Sequence, residues 1–371
     1  MTYAVFQTLA VYGLTTIIMY ALSKKSYRCD KESYMMLAIL VYSIVFGLRY
    51  CVGVDYMGYV EMFEHVSLGY EVEKEAAFVE IIKLFASLGL DVSAFFTFCA
   101  FFQLFFIFQA FKQYKEVYPY LILTFMIGGE WLIYSNIIRH VFAFAIVVYS
   151  LKFVTGRHPL KHYLWLFIAF LFHKSCAVLV VIYPLYLLKS SYFDRRWVQY
   201  AIVLISIILM NLNYIQEFVS SMDKLLMLMG YYDKYIMDDR MDREVTLGMG
   251  FVIELAIACT IIYFSPKIKE HYTRLPVNIM YDMFIVGLAI KYSFIGSMMI
   301  QRMNVYFVGF TFILAGLELA YMFKFKRKGG PVLLSLYCLL GFATLYRMFE
   351  NSALFIFNFQ DNLFYLKNDF S

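Results

Sequence analysis

Arg49, Asp55, Glu75, Asn136, Arg139, His140, His173, Lys174 and Arg302 stand beside long apolar runs, where polar side chains are costly. A charge carried to mid-bilayer costs roughly 2.5–3.5 kcal/mol on insertion scales, so such residues ask for a reason. A guanidinium grips phosphate oxygens through paired donors and cannot lose its charge. Three arginines among these residues therefore suit a diphosphate. A diphosphate leaving a sugar gathers negative charge as the bond breaks, so fixed cations lower that barrier. An acceptor hydroxyl needs a proton acceptor, and a carboxylate or a histidine can serve. No Asp-x-Asp motif stands out for a metal-bound nucleotide sugar, and no Gly-rich phosphate loop is present. A lipid diphosphate reached from within the bilayer fits better.

The elements that must carry these residues are membrane helices. Of 371 residues, 62% are hydrophobic and 16% charged, with a mean hydropathy of +0.68. That is too little charge for the skin of a soluble domain. Apolar runs of about 17 to 22 residues recur along the chain, the length an α-helix needs to cross a hydrocarbon core of about 30 Å. A transmembrane β-barrel would show alternating polarity, whereas runs such as AIVVYSLKFV and AIVLISIILM are apolar all round. The first apolar run lacks a basic flank and a small-residue cleavage site, so it reads as a retained span. Thirty-three tyrosines and 39 phenylalanines suit interfacial belts and packing between spans.

Charge sets the expected topology. Basic clusters at 24–31, 112–115, 152–162, 189–196, 267–274 and 324–328 alternate with the acidic or mixed stretches 49–75 and 212–247. Short Lys/Arg-rich loops stay in the cytoplasm, so the acidic set and both termini are expected outside. The implied spans are 3–22, 33–48, 92–111, 117–134, 136–153, 197–213, 248–264, 278–299, 304–323 and 331–350. The stretch 163–188 must leave and return as a hairpin of two short helices, broken near FHKSC. This predicts an all-α, polytopic helical bundle of about 11–12 spans, forming one transmembrane domain over 1–371. Its outer loops are 49–75 and 213–247. The segment 76–90 reads as an amphipathic interfacial helix, because Glu80, Lys83 and Ser87 share one face.

On this map the charged set crowds the outer ends of six segments. Snorkelling would place Arg and Lys there alone; it does not bring Asp, Glu, His and Asn with them. Glu254, Asp282, Lys291 and Glu318 lie deeper and are expected in internal ion pairs. His65, His158, His162 and His271 fall in loops and read as solvated. The six cysteines form no CxxC pair, and no metal site or cofactor is expected.

At these residues the sequence resembles the EpsG-like family of bacterial polysaccharide polymerases, a branch of the Wzy-type polymerases. The resemblance rests on LRYCVGVDYMGY at 48–59, EAAF at 75–78, SNIIRHVFAFAI at 135–146, FHKSCAVL at 172–179 and QRMNVYF at 301–307. Val54 stands where a small hydroxyl residue is expected, and His140 where an amide is usual. The resemblance implies a C-type glycosyltransferase-like fold with an outward-facing cavity. It implies an enzyme that joins oligosaccharide repeat units carried on undecaprenyl diphosphate at the outer face of the cytoplasmic membrane, of O-antigen, capsule or exopolysaccharide type. By motif position, Arg139 and Arg302 would bind the donor diphosphate with Arg49 helping, and Asn136, His140 and Lys174 would line the substrate. Asp55, Glu75 or His173 would be the catalytic base. Expected partners are the lipid-linked donor and acceptor, membrane lipid, and a chain-length regulator and flippase, with no nucleic acid. Two other classes remain open: a flippase for lipid-linked units, which would show similar halves and broken mid-membrane helices, and a ligase, which would carry a larger outer loop.

Overall fold

The computed structural model describes residues 3–187, 194–210, 221, 248–295 and 297–351. The outer loop expected over 213–247 lies outside these residues, Ser221 apart. Among the described residues the secondary structure is helical throughout, without strands.

The chain forms two compact units, one of Met1–Val180 with Ala315–Ser371 and one of Val181–Leu314. The first unit opens with α1 (Tyr3–Cys29), α2 (Glu32–Gly47), α3 (Tyr56–Ser67), α4 (Ala76–Ser87) and α5 (Val92–Ala110). It continues through α6 (Tyr118–Ile127), α7 (Glu130–Asn136), α8 (Ile138–Thr155) and α9 (Pro159–Phe172). The second unit holds the helices Arg196–Met210, Met249–His271, Val277–Ser293 and Met298–Val308.

Among the described residues, five helices are long and apolar enough to cross a membrane: Phe6–Cys29, Val92–Ala110, Ile138–Thr155, Met249–His271 and Ile300–Lys324. Shorter apolar helices include Glu32–Gly47, Pro159–Phe172, Lys174–Leu187, Arg196–Met210 and Gly329–Thr344. The protein is therefore a polytopic helical membrane protein; the stretch expected to form a short-helix hairpin holds α9 and the apolar segment Lys174–Leu187, separated at His173.

One expected span is not straight. The run 117–134 divides into α6 and α7, bent by 72°. Gly129 adopts φ +82° at the break, a conformation that costs an L-residue with a Cβ roughly 1–2 kcal/mol. Two adjacent glycines, Gly128 and Gly129, thus turn an apolar run into a corner.

The core of the first unit is built on α8. Every residue from Val141 to Val148 is buried, as expected of a helix that is apolar all round and enclosed by others. Its alanines, Ala143 and Ala145, let neighbouring backbones come close. Helices α2 and α5 touch so closely that a Cβ on Gly47 would overlap Thr97. Tyr42, Phe46, Phe125 and Trp131 fill the adjoining space with edge-on and tilted rings. His162 departs from expectation. It lies in α9, fully buried, 3.1 Å from Ser150 Oγ on α8. A buried imidazole needs a polar partner, and the hydroxyl one packed helix away supplies it.

Candidate functional site

The polar residues singled out in the first unit meet where α2, α4, α8 and α9 end or begin. Arg49 follows the C-terminus of α2 and is 2% exposed. Expected among the phosphate ligands, it instead spends its donors on backbone carbonyls: Phe46 O, Val52 O at 3.3 Å and Ser135 O at 2.9 Å. The ring of Phe96 lies 4.6 Å from its guanidinium carbon. The space beside it, about 10 Å³, admits at most one water, so a diphosphate cannot enter there.

Ser135 sits where the helical ladder stops. Ile137, between α7 and α8, has φ −94° and ψ 59°, and a break of this kind leaves carbonyls without helical donors. Arg49 takes one of them. Gln103 of α5, 1% exposed, donates to Ile138 O at 3.1 Å and Tyr134 O at 3.4 Å. The break frees Asn136, whose Oδ1 accepts from the Asp55 N–H at 2.9 Å. Gly53, at φ +112°, passes so close that a Cβ would stand 3.2 Å from the same oxygen. Asp55 is the N-cap of α3, half-buried.

Three residues past Asn136, Arg139 pairs with the Glu75 carboxylate, and its charge acts on the nearby Tyr59 phenol. Its side chain is 19% exposed, and its Nε is a buried donor without a hydrogen-bond partner. Glu75 is the N-cap of α4 in extended conformation, yet its side chain does not cap the helix. The carboxylate turns to Arg139, and its other oxygen lies 3.5 Å from His173 Nδ1. Burial alone would raise the Glu75 carboxyl, but Arg139, its own backbone N–H and His173 outweigh burial and hold it below its ordinary value. Burial also raises the Tyr59 phenol, against the pull of Arg139.

His173 terminates α9 in an extended conformation, φ −157° and ψ 116°. Its Nδ1 accepts from the Ser175 N–H at 3.3 Å and lies 3.2 Å from Ser175 Oγ. The His140 ring is tilted over it, centroids 3.5 Å apart. Lys174 is exposed next to this cluster in sequence. Arg302 belongs to the second unit, half-buried on Met298–Val308. In that unit Lys291 pairs with Glu254, their side chains 31% and 38% exposed, whereas Asp282, also expected in an ion pair, keeps a buried Oδ1 without a hydrogen-bond partner.

The structure thus joins Asp55, Glu75, Asn136, Arg139, His140 and His173 into one cluster and adds Tyr59, Gln103 and Ser175. Tyr59 was legible as the residue one helical turn after Asp55. Gln103 was legible as a lone amide inside FFQLFF, since an amide inside a span must find partners. Ser175 carries no such signal. Chemically, the cluster offers a fixed cation with a spare donor beside an imidazole that can take a proton. Among the described residues, no group of three His, Cys, Asp or Glu side chains is placed to hold a metal ion.

A helical membrane protein with such a cluster is defined as a class by fold and chemistry together. The chain belongs to the EpsG family, whose model matches residues 32–361. Membership makes it a membrane protein of polysaccharide biosynthesis. Comparison with curated proteins and with solved structures returns no match.

Proposed function

We propose that this protein is a Wzy-type polymerase, which transfers a growing glycan from lipid diphosphate to a new lipid-linked repeat unit. The observation that carries the reading is Arg139: a partly buried arginine paired with Glu75, its side chain 19% exposed and its buried Nε without a hydrogen-bond partner. In the reaction the bond between the sugar anomeric carbon and the diphosphate oxygen breaks, and the diphosphate leaves with the electron pair. Arg139 stabilises that charge as it develops. The acceptor hydroxyl oxygen forms the new glycosidic bond, and its proton passes to His173. Glu75 favours a proton on Nδ1 of His173, which leaves Nε2 to accept, the logic of a carboxylate orienting a histidine base. Asp55 and Asn136 hold the 49–55 loop beside the cluster, and His140 flanks the base. Arg302 is put forward by its motif as a further phosphate ligand and is judged by its own substitution.

The charge alternation supports a site at the outer face of the cytoplasmic membrane, where lipid-linked units are polymerised. The deciding experiment is deletion in the producing strain, complemented by wild type, Arg139→Ala or Arg302→Ala, with surface glycan and lipid-linked intermediates sized on gels. Single repeat units without a ladder support the polymerase. Units trapped facing the cytoplasm would mark a flippase, and full-length polymer stranded on its lipid would mark a ligase.

A further inference from the structure

Helix α4 has three faces, not two. Phe78, Val79 and Ile82 are buried, and Phe85 packs against Phe95 and Phe98 of α5. Glu80 and Lys83 pair on a second face, which continues to the exposed Ser87. The third runs through Ala77, Ile81, Leu84 and Leu88, residues three and four apart that share a side of a helix. It is wholly apolar and grows more exposed along its length, Leu84 to 54% and Leu88 to 63%. Water on one face, protein on another and hydrocarbon on the third is the environment of a helix lying in a bilayer surface. The candidate span Val92–Ala110 begins four residues past Leu88.

The apolar stripe also has a direction. Its first residue, Ala77, is two residues from Glu75, the partner of Arg139 and His173. Phe78, which borders the stripe, has its ring 6.0 Å from the Arg139 guanidinium carbon. From Ala77 to Leu88 it extends about 16 Å at 1.5 Å per residue. We propose that this stripe is the seat of the hydrocarbon tail of the lipid-diphosphate donor, laid along α4 so that its head group meets Arg139. Other apolar side chains of the protein are exposed as well; this continuous apolar path ends beside the partly exposed guanidinium that pairs with Glu75. The proposal rests on the polymerase reading and specifies how its substrate arrives.

The test uses the full chain in phosphatidylethanolamine–phosphatidylglycerol vesicles, with a photoreactive benzoylphenylalanine introduced at Leu84, Leu88, Glu80 or Ser87. The probe is a radiolabelled polyprenyl diphosphate-linked sugar. Label captured from positions 84 and 88, lost on competition with unlabelled polyprenyl diphosphate and lost in Arg139→Ala, is the expected result. Equal capture from all four positions, or capture that competitor leaves unchanged, overturns the proposal and marks the stripe as a bulk-lipid contact. The two readings fail separately. Specific capture by a protein whose deletion leaves the polymer ladder intact sinks the polymerase alone, and a lost ladder with uncompeted capture sinks the track alone.

Discussion

Glu75 Oε1 lies 3.5 Å from His173 Nδ1 while the other oxygen of the same carboxylate is held by Arg139. One carboxylate therefore serves a fixed cation and an imidazole together. Nδ1 also faces the Ser175 N–H, which can only donate. The imidazole thus has one neighbour that favours an unprotonated Nδ1 and one that favours a protonated Nδ1. Hydrogen bonds to an ionised partner are about twice as strong as neutral ones, so the carboxylate prevails when a substrate hydroxyl approaches Nε2. In purified protein extending lipid-linked repeat units, His173→Gln is expected to lower kcat about 10²–10⁴-fold with a smaller change in KM. An unchanged kcat would remove His173 from proton transfer.

The downward shift at Glu75 makes a pH-dependent prediction. Its folded-state carboxyl lies below the ordinary 4.5, so its ionised form stabilises the fold throughout the range above that value. The stabilisation declines as pH falls below it and is lost through the folded-state value. Glu75→Gln leaves Arg139 charged and partly buried without its counter-ion, at a cost of about 3 kcal/mol near neutral pH. Thermal unfolding in detergent should therefore separate wild type from Glu75→Gln most widely at neutral pH, and the gap should close under acid. A gap constant with pH would show that the ion pair adds no stability.

The sequence disclosed the membrane class, and the motifs named most of the cluster, because apolar length and misplaced charge are local signals. It did not disclose what each charge touches. Arg49 and Arg139 look alike in sequence, each an arginine at a span end, yet one is bonded to three carbonyls and the other keeps a donor in reserve. The difference comes from the break at Ile137 and the corner at Gly129, which set where carbonyls are left open. His162 departs from a solvated loop position for a related reason: a helix beginning at Pro159 carries it inward, onto Ser150. Contacts between distant segments, such as the Asp55 N–H on Asn136, have no periodicity to betray them.

Arg49 and Gln103 are expected to behave as braces of the α7–α8 break. Removing either leaves buried carbonyls unpaired, at about 1–3 kcal/mol for each group. Arg49→Met and Gln103→Leu should both lower the melting temperature and the folded yield in detergent. Glycan extension by the protein that does fold should fall through displacement of Asn136 and Arg139. The signature of a phosphate ligand is different: an unchanged melting temperature with a raised KM. If Arg49→Met gave that result, Arg49 would return to the substrate site.

The corner at Gly129 is the last element on which this geometry depends. Its φ of +82° lies in the left-handed region, and a Cβ there would stand 3.0 Å from Thr344 Cγ2. Gly129→Ala should therefore cost about 1–2 kcal/mol from backbone strain alone, with crowding against Thr344 added. Gly13 provides the contrast. It lies inside α1 with nothing near the position of an added Cβ, so Gly13→Ala should be neutral or stabilising by about 0.5–1 kcal/mol. Melting temperatures of the two variants, measured side by side in the same detergent, check the pair. A Gly129→Ala protein as stable as Gly13→Ala would mean that the 72° bend is imposed by packing around α6 and α7, and not by the glycine at its apex.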